Sequence, residues 1–239
     1  MENVSRLNQM INESNSIVFF GGAGVSTESG IRDFRSPEGI YSMDYKNSPE
    51  KVLSHTFYKN HTEDFYDFYR KYLCFPYAKP NKAHYKLAEL EKAGKLKAVI
   101  TQNVDGLHQL AGSKNVYELH GSALRNYCIK CGKFYDFDYV YKGNGVPKCE
   151  CGGTVKPDVV LYEESLDDKV IYGAVNAIAD ADMLIVAGTS LKVYPAAGFI
   201  RYFKGKNFVL INMEKTDMDS QFGLVIHGKV GEVLDKVRV

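Results

Sequence analysis

Four of the five cysteines sit in two close pairs, Cys128-x-x-Cys131 and Cys149-x-Cys151, with seventeen residues between the pairs. Paired thiolates at that spacing can surround a tetrahedral ion, the layout of a zinc ribbon. Disulfides are the rival reading. They fit poorly, because residues 1–7 carry no apolar export signal and a Cys-x-Cys ring is strained. Four protein ligands leave no open position for water, so one Zn2+ bound here is expected to be structural. The segment around it has few large aliphatic residues, and a metal can replace the core it lacks. Cys74, alone in an aromatic stretch, reads as a packed thiol.

Three further stretches carry groups that could bind or react. Gln102-Asn103-Val104-Asp105-Gly106-Leu107-His108 puts two carboxamides and a carboxylate after an apolar run. Asn103 or Asp105 could simply cap a helix starting at Gly106. Glu118-Leu119-His120-Gly121 offers an imidazole, which takes a proton near neutral pH, although a lone histidine is more often structural. Gly21-Gly22-Ala23-Gly24-Val25-Ser26-Thr27-Glu28-Ser29-Gly30 follows Ile17-Val18-Phe19-Phe20. Such glycines let the backbone approach a ligand, and a helix starting near Val25 would favour a phosphate at its N-terminus. The third glycine of an ordinary dinucleotide fingerprint is absent, since Thr27 stands there.

These groups need a scaffold, and the pattern supplies one. Val4, Leu7, Met10 and Ile11 fall on one face of an opening helix. Strands are expected at 17–20, 96–101, 116–119, 183–187, 208–211 and 224–226, with helices over 81–93, 169–179 and onward from Pro195. The alternation predicts an α/β fold, a doubly wound, Rossmann-like parallel sheet that binds ligands at the carboxyl ends of its strands. Two stretches interrupt it. Residues 36–79, with a helix near 63–72, read as a helical insertion and cofactor loop, and 127–155 as a small zinc-ribbon domain. The large domain is then 1–35, 80–126 and 156–239. At 239 residues and a net charge of +1 the chain is an ordinary soluble globular protein. Nothing in it argues for nucleic acid or a membrane span, so a cytoplasmic location is expected.

The run from Gly22 to Arg35 resembles the first signature of the sirtuins, the NAD-dependent protein lysine deacylases, with Arg32 where the family has proline. Thr101 to His108 and Glu118 to Gly121 match two further signatures of that family, and the cysteines match its zinc module. The resemblance implies that NAD is a co-substrate. The acyl oxygen of a modified lysine attacks the nicotinamide ribose, nicotinamide leaves, and the products are free lysine and O-acyl-ADP-ribose. On this reading His120 is the general base, and Phe34 shields the reactive centre from water. Arg35 pairs the pyrophosphate. Ala23 and Thr27 line the cofactor site, Gln102 and Asn103 contact the nicotinamide ribose, and Asp105 with Val104 receives the nicotinamide amide. Gly188, Thr189 and Ser190 approach phosphate and adenine ribose, with Asn212 and Val230 at the adenosine end. Lys156 to Glu164 resembles the peptide-binding segment, although Glu163 replaces a glycine. Val160, Leu161, Tyr162 and Val193 would hold the acetylated lysine peptide by strand addition.

Deacylases acting on succinyl groups carry a Tyr-x-x-Arg pair. Here Tyr66 is followed by Arg70, one place late, which favours acetyl or another short uncharged acyl group. Tyr66 and Arg70 still share a helix face, so a desuccinylase or longer-chain deacylase stays open as an alternative. Mono-ADP-ribosylation and a non-enzymatic, NAD-sensing zinc-ribbon interaction protein are the other rivals. A monomer is expected, and the lack of long terminal extensions suggests a bacterial or archaeal form.

Overall fold

The computed structural model describes residues 2–42 and 46–238. Residues 1, 43–45 and 239, which the expected domain ranges take in, lie outside the described residues. Among the described residues there are nine strands: β1 (Ile17–Gly21), β2 (Leu96–Thr101), β3 (Val116–Glu118), β4 (Gly121–Cys128), β5 (Phe134–Asp136), β6 (Val155–Val159), β7 (Met183–Ala187), β8 (Asn207–Asn212) and β9 (Leu224–His227). The α-helices are α1 (Glu2–Glu13), α2 (Pro49–Val52), α3 (His55–Asn60), α4 (Thr62–Tyr72), α5 (Lys82–Lys92), α6 (Leu107–Leu110), α7 (Phe137–Tyr141), α8 (Asp168–Ala179) and α9 (Val230–Leu234).

Six strands form one sheet in the order β3-β2-β1-β7-β8-β9, with every neighbouring pair parallel. Counted within the sheet this is 3-2-1-4-5-6, the Rossmann order, and the direction of winding reverses between β1 and β7. Both central strands are buried along their whole length, as near-continuous apolar runs require. One apolar layer packs α1, α5 and α9 on one face through Leu7, Leu87 and Leu234. A second packs α8 and the 196–202 turn on the other through Ile178 and Phe199.

β4, β5 and β6 form a separate antiparallel sheet in the order β5-β4-β6. Its inner face does not stand alone. Phe57, Phe65, Tyr66 and Phe68 of α3 and α4 pack with Val140, Val155 and Leu161 in a single cluster. The helical insertion and the cysteine-bearing module therefore share one core. Among the described residues no helix is long and apolar enough to cross a membrane.

One local expectation fails. No α-helix starts near Val25; Ala23–Val25 and Thr27–Ser29 are two short 3-10 turns. The N–H groups of Gly22, Gly24, Val25 and Ser26 donate to the carbonyls of Ala187, Gly188, Gly22 and Ala23. Those amides are spent inside the protein and are not gathered at a helix start. Pro195 likewise precedes a 3-10 turn, Ala196–Tyr202, in place of an α-helix.

Candidate active site and metal centre

The carboxyl ends of β1 and β7 meet at the winding reversal, and glycines make the meeting possible. Gly24 N–H donates to the Gly188 carbonyl at 2.8 Å, and a Cβ on Gly24 would lie 2.7 Å from the Gly188 Cα. Gly188 itself has φ +58. The two turns therefore cross at backbone contact, a separation that no side chain would allow. This places Ala23 and Thr27 on one lip of the crevice and Gly188, Thr189 and Ser190 on the other.

The end of β2 forms the floor. Gln102 Nε2 donates to Thr189 Oγ1 at 3.1 Å, linking two of the expected cofactor residues directly. Asn103 Nδ2 donates to Ser26 Oγ at 3.1 Å, and Ser26 Oγ donates to Asp105 Oδ2 at 2.7 Å. Asp105 Oδ1 also accepts from Leu107 N–H at 2.9 Å, so the carboxylate satisfies the first N–H of α6 as well as binding Ser26. Burial raises its pKa, and the bonds from Leu107 and Ser26 oppose the rise. Ser26 is the residue that motif reading passed over. It is fully buried and bridges Asn103 to Asp105. Its place inside the glycine signature was the available signal.

His120 stands at the edge of this floor. Its Nδ1 lies 2.9 Å from the Gln102 carbonyl, which fixes the proton on Nδ1 and leaves Nε2 as the acceptor. Burial lowers its pKa, and the bond to Gln102 raises it in part. A neutral imidazole with a free lone pair is the form a general base needs. Val104 accepts at its carbonyl from Ala123 N–H and packs its side chain toward the insertion core.

The loop after the glycine-rich turns folds back on itself. Ile40 and Tyr41 N–H groups return to the carbonyls of Asp33 and Phe34, and the Phe34 ring meets Tyr41 edge-on at 5.7 Å. The Arg35 guanidinium lies 4.9 Å above the Tyr41 ring. Tyr41 also shares a 2.9 Å hydroxyl bond with Tyr162 on the expected peptide segment. That segment is pinned at the backbone, since Tyr162 N–H donates to Leu53 and accepts at its carbonyl from His55 N–H. Leu161 is buried, Val160 packs on the large sheet, and Val193 accepts from Ala197 N–H. At the far end, Asn212 closes β8 with its amide on the Glu214 carbonyl. Val230 is only 2% exposed and packs into the core beneath α9.

The four clustered cysteine sulfurs lie within 4.8 Å of one another, with Cys128–Cys151 at 3.5 Å and Cys131–Cys149 at 3.6 Å. A tetrahedron with metal–sulfur bonds of about 2.3 Å has sulfur–sulfur edges of about 3.8 Å, so the donor set fits Zn2+. None of the four is in a disulfide, and Cys74, buried in the core shared by the insertion and the module, is not one of the metal-competent group. The thiol of Cys74 is pushed up to about 12 by that burial, which suits a packing role.

Winding order, glycine crossing and amide-carboxylate floor together define a dinucleotide-binding α/β protein with a separate four-thiolate metal centre. Comparison with known proteins narrows this further. The Sir2 family profile matches residues 22–195. The NAD-dependent protein deacetylase of Clostridium acetobutylicum is 60% identical over 241 residues, covering 99% of this chain and 98% of that one. The enzyme of the same name from Clostridium perfringens is 58% identical over 240 residues, with 99% and 98% covered. A solved Sir2 structure with a deacetylated p53 peptide and 3′-O-acetyl ADP-ribose superimposes with a TM-score of 0.89 at 39% identity, over 98% and 96% of the two chains. The chain belongs to the Sir2 family, the sirtuins.

Proposed function

We propose that this protein removes acetyl groups from protein lysines and consumes NAD in doing so, releasing nicotinamide and O-acetyl-ADP-ribose. The observation that carries the reading is the arrangement of His120. Its Nδ1 is held by the carbonyl of Gln102, the residue next to Asn103 of the Asn103–Ser26–Asp105 network, and its Nε2 is left as the acceptor, in a chain matching named deacetylases over 99% of its length. NAD supplies an activated glycosidic bond, and the protein's part is to place and protect it. Gln102, Asn103 and Asp105 hold the ribose and nicotinamide end, and Ser26 keeps Asp105 and Asn103 in register. Phe34, braced edge-on by Tyr41, covers the reacting carbon and excludes water. Arg35 meets the pyrophosphate, Ala23, Thr27 and the 188–190 turn line the rest of the crevice, and Asn212 and Val230 stand at the adenosine end. His120 accepts a ribose hydroxyl proton at Nε2 once nicotinamide has left. The cysteines hold zinc, and with every ligand position filled by sulfur the ion organises its module and takes no part in the reaction.

Acylated peptide enters between Val193 and the Val160–Leu161–Tyr162 segment by main-chain pairing. An uncharged acyl group is supported by where Tyr66 and Arg70 point. The Tyr66 hydroxyl donates to the Val155 carbonyl at 2.6 Å. Arg70 donates to the Val140 and Gly145 carbonyls. Both are engaged within the protein, so neither is offered to a distal carboxylate. The same reading takes the protein as a cytoplasmic monomer that does not bind nucleic acid; the net charge of +1 supports the last point, and gel filtration tests the first. Incubating purified protein with NAD and acetylated peptide, and following peptide mass together with nicotinamide and O-acetyl-ADP-ribose, tests the reaction. ADP-ribose added to protein with the acetyl group retained would overturn it.

A further inference from the structure

Arg125 lies on β4 outside every motif considered above, yet it joins the two sheets. Its Nη1 donates to Glu118 Oε2 at 2.8 Å and its Nε to Asp158 Oδ2 at 2.9 Å. Glu118 ends β3 at the edge of the parallel sheet, and Asp158 belongs to β6 of the antiparallel sheet. Two residues further along each segment, Val160 N–H donates to the His120 carbonyl at 3.0 Å. The guanidinium and this backbone bond are thus two rungs between the same pair of segments.

The turn just beyond the second rung has no slack. Gly121 has φ +74, and a Cβ there would lie 1.9 Å from the Asp158 carbonyl oxygen. On its other side His120 is held by Gln102. A shift of β6 against β3 must therefore move the imidazole, the Val160 segment, or both. The Glu118 side chain is only 10% exposed while Arg125 is 39% exposed, so the bridge is anchored inside and closed from the solvent side. A planar fork reaches both carboxylates at once, which a lysine ammonium does less well.

We propose that Arg125 is a positioning residue for the deacylation step, clamping the segment that carries the general base to the segment that receives the acylated lysine. This rests on the deacetylase reading above. Nicotinamide departure does not use His120, whereas product formation does, so loss of the clamp should separate the two rates.

The test compares wild type with Arg125→Met and Arg125→Lys, using NAD and an acetylated peptide. Exchange of labelled nicotinamide into NAD reports the first step, and free-lysine peptide reports the whole reaction. Arg125→Met is expected to lower kcat for deacetylation by about tenfold, as a sub-ångström misplacement would. Nicotinamide exchange, zinc content and melting temperature should stay within about twofold or a few degrees of wild type, and Arg125→Lys should recover part of the loss. Asp158→Ala breaks the same bridge from its outer end and should shift the ratio the same way, which keeps the test open if Arg125→Met does not fold. Equal losses in both rates, or no loss in either, overturn the proposal. A wild-type protein that neither exchanges nicotinamide nor deacetylates overturns the functional reading, and this proposal with it.

Discussion

Lowering the pH from 7.5 to 5 should remove about 4 kcal/mol of folding stability through two histidines that touch no substrate. His84 and His108 are at most 1% exposed, with ring centroids 4.7 Å apart. Burial holds His84 down at about 4. Burial, with the neighbouring His84 ring, holds His108 down at about 3. In the unfolded chain both titrate near 6.5. Below that pH the unfolded state takes up protons that the folded state refuses. The stability these rings contribute is therefore complete above pH 6.5 and is lost as pH falls toward the folded values. At about 1.36 kcal/mol per pH unit, the 1.5 units down to pH 5 cost about 2 kcal/mol for each ring. Urea unfolding at the two pH values measures the sum. His108→Phe, a similar shape beside Phe19 at 6.1 Å, should halve the pH-dependent part. The reasoning fails if wild type loses under about 1 kcal/mol, or if His108→Phe leaves the pH dependence unchanged. NAD affinity should weaken before global unfolding. His84 Nδ1 accepts from Asn81 N–H, and the Asn81 amide holds Val25 and Ser29 of the cofactor turn.

His120→Ala should lower deacetylation by about 10²–10⁴-fold while nicotinamide exchange persists, because the base acts only after nicotinamide leaves. Cys149→Ser should cost the bound zinc, read by metal analysis, and open the 129–154 segment to proteases, since ions in small zinc modules supply about 10 kcal/mol of folding energy. Gly121→Ala must fit a Cβ 1.9 Å from the Asp158 carbonyl at φ +74; the expected result is a melting temperature lower by about 6–12 °C, from a cost of roughly 3 kcal/mol. Glu163→Gly should change stability by under about 1 kcal/mol in urea unfolding, because relieved backbone strain offsets a lost hydrogen bond and a looser unfolded chain.

Much of this site is local in sequence, which is why it could be read there. Gln102, Asn103 and Asp105 come from one strand end, and the cysteine pairs lie on one short segment. Six apolar runs between helical patterns sufficed for the parallel sheet, because buried parallel strands need no alternation. What sequence left unread depends on contacts between distant segments. A 3-10 path through Ala23 to Ser29 is imposed by the crossing with Gly188, more than 160 residues later. Ser26 earns its role only when Asp105 is brought to it. The shared core of insertion and zinc module is likewise invisible locally: Tyr66 reads as one face of a helix until its hydroxyl is seen on the Val155 carbonyl. Arg32, the departure in the first signature, is exposed, and nothing in the structure explains it.

The other departure has a physical account. Glu163 stands where the family pattern has glycine, and its φ is +75, so the turn keeps the glycine-type backbone without the glycine. An L-residue there costs about 1 kcal/mol or more. The carboxylate offsets this by accepting from Thr56 N–H at 2.9 Å, at the start of α3, and the Thr56 hydroxyl together with that N–H lowers its pKa. Glu164 beside it accepts from Leu161 N–H and meets both His55 and Lys156. Two adjacent glutamates therefore tie the 160–164 segment to α3, and the Tyr41–Tyr162 bond ties the same segment to the 33–42 loop. A glycine at 163 would permit this turn; the glutamate also attaches it. The 160–164 segment, the 33–42 loop and α3 are thereby held together, with the same segment joined to His120 through the Val160 N–H.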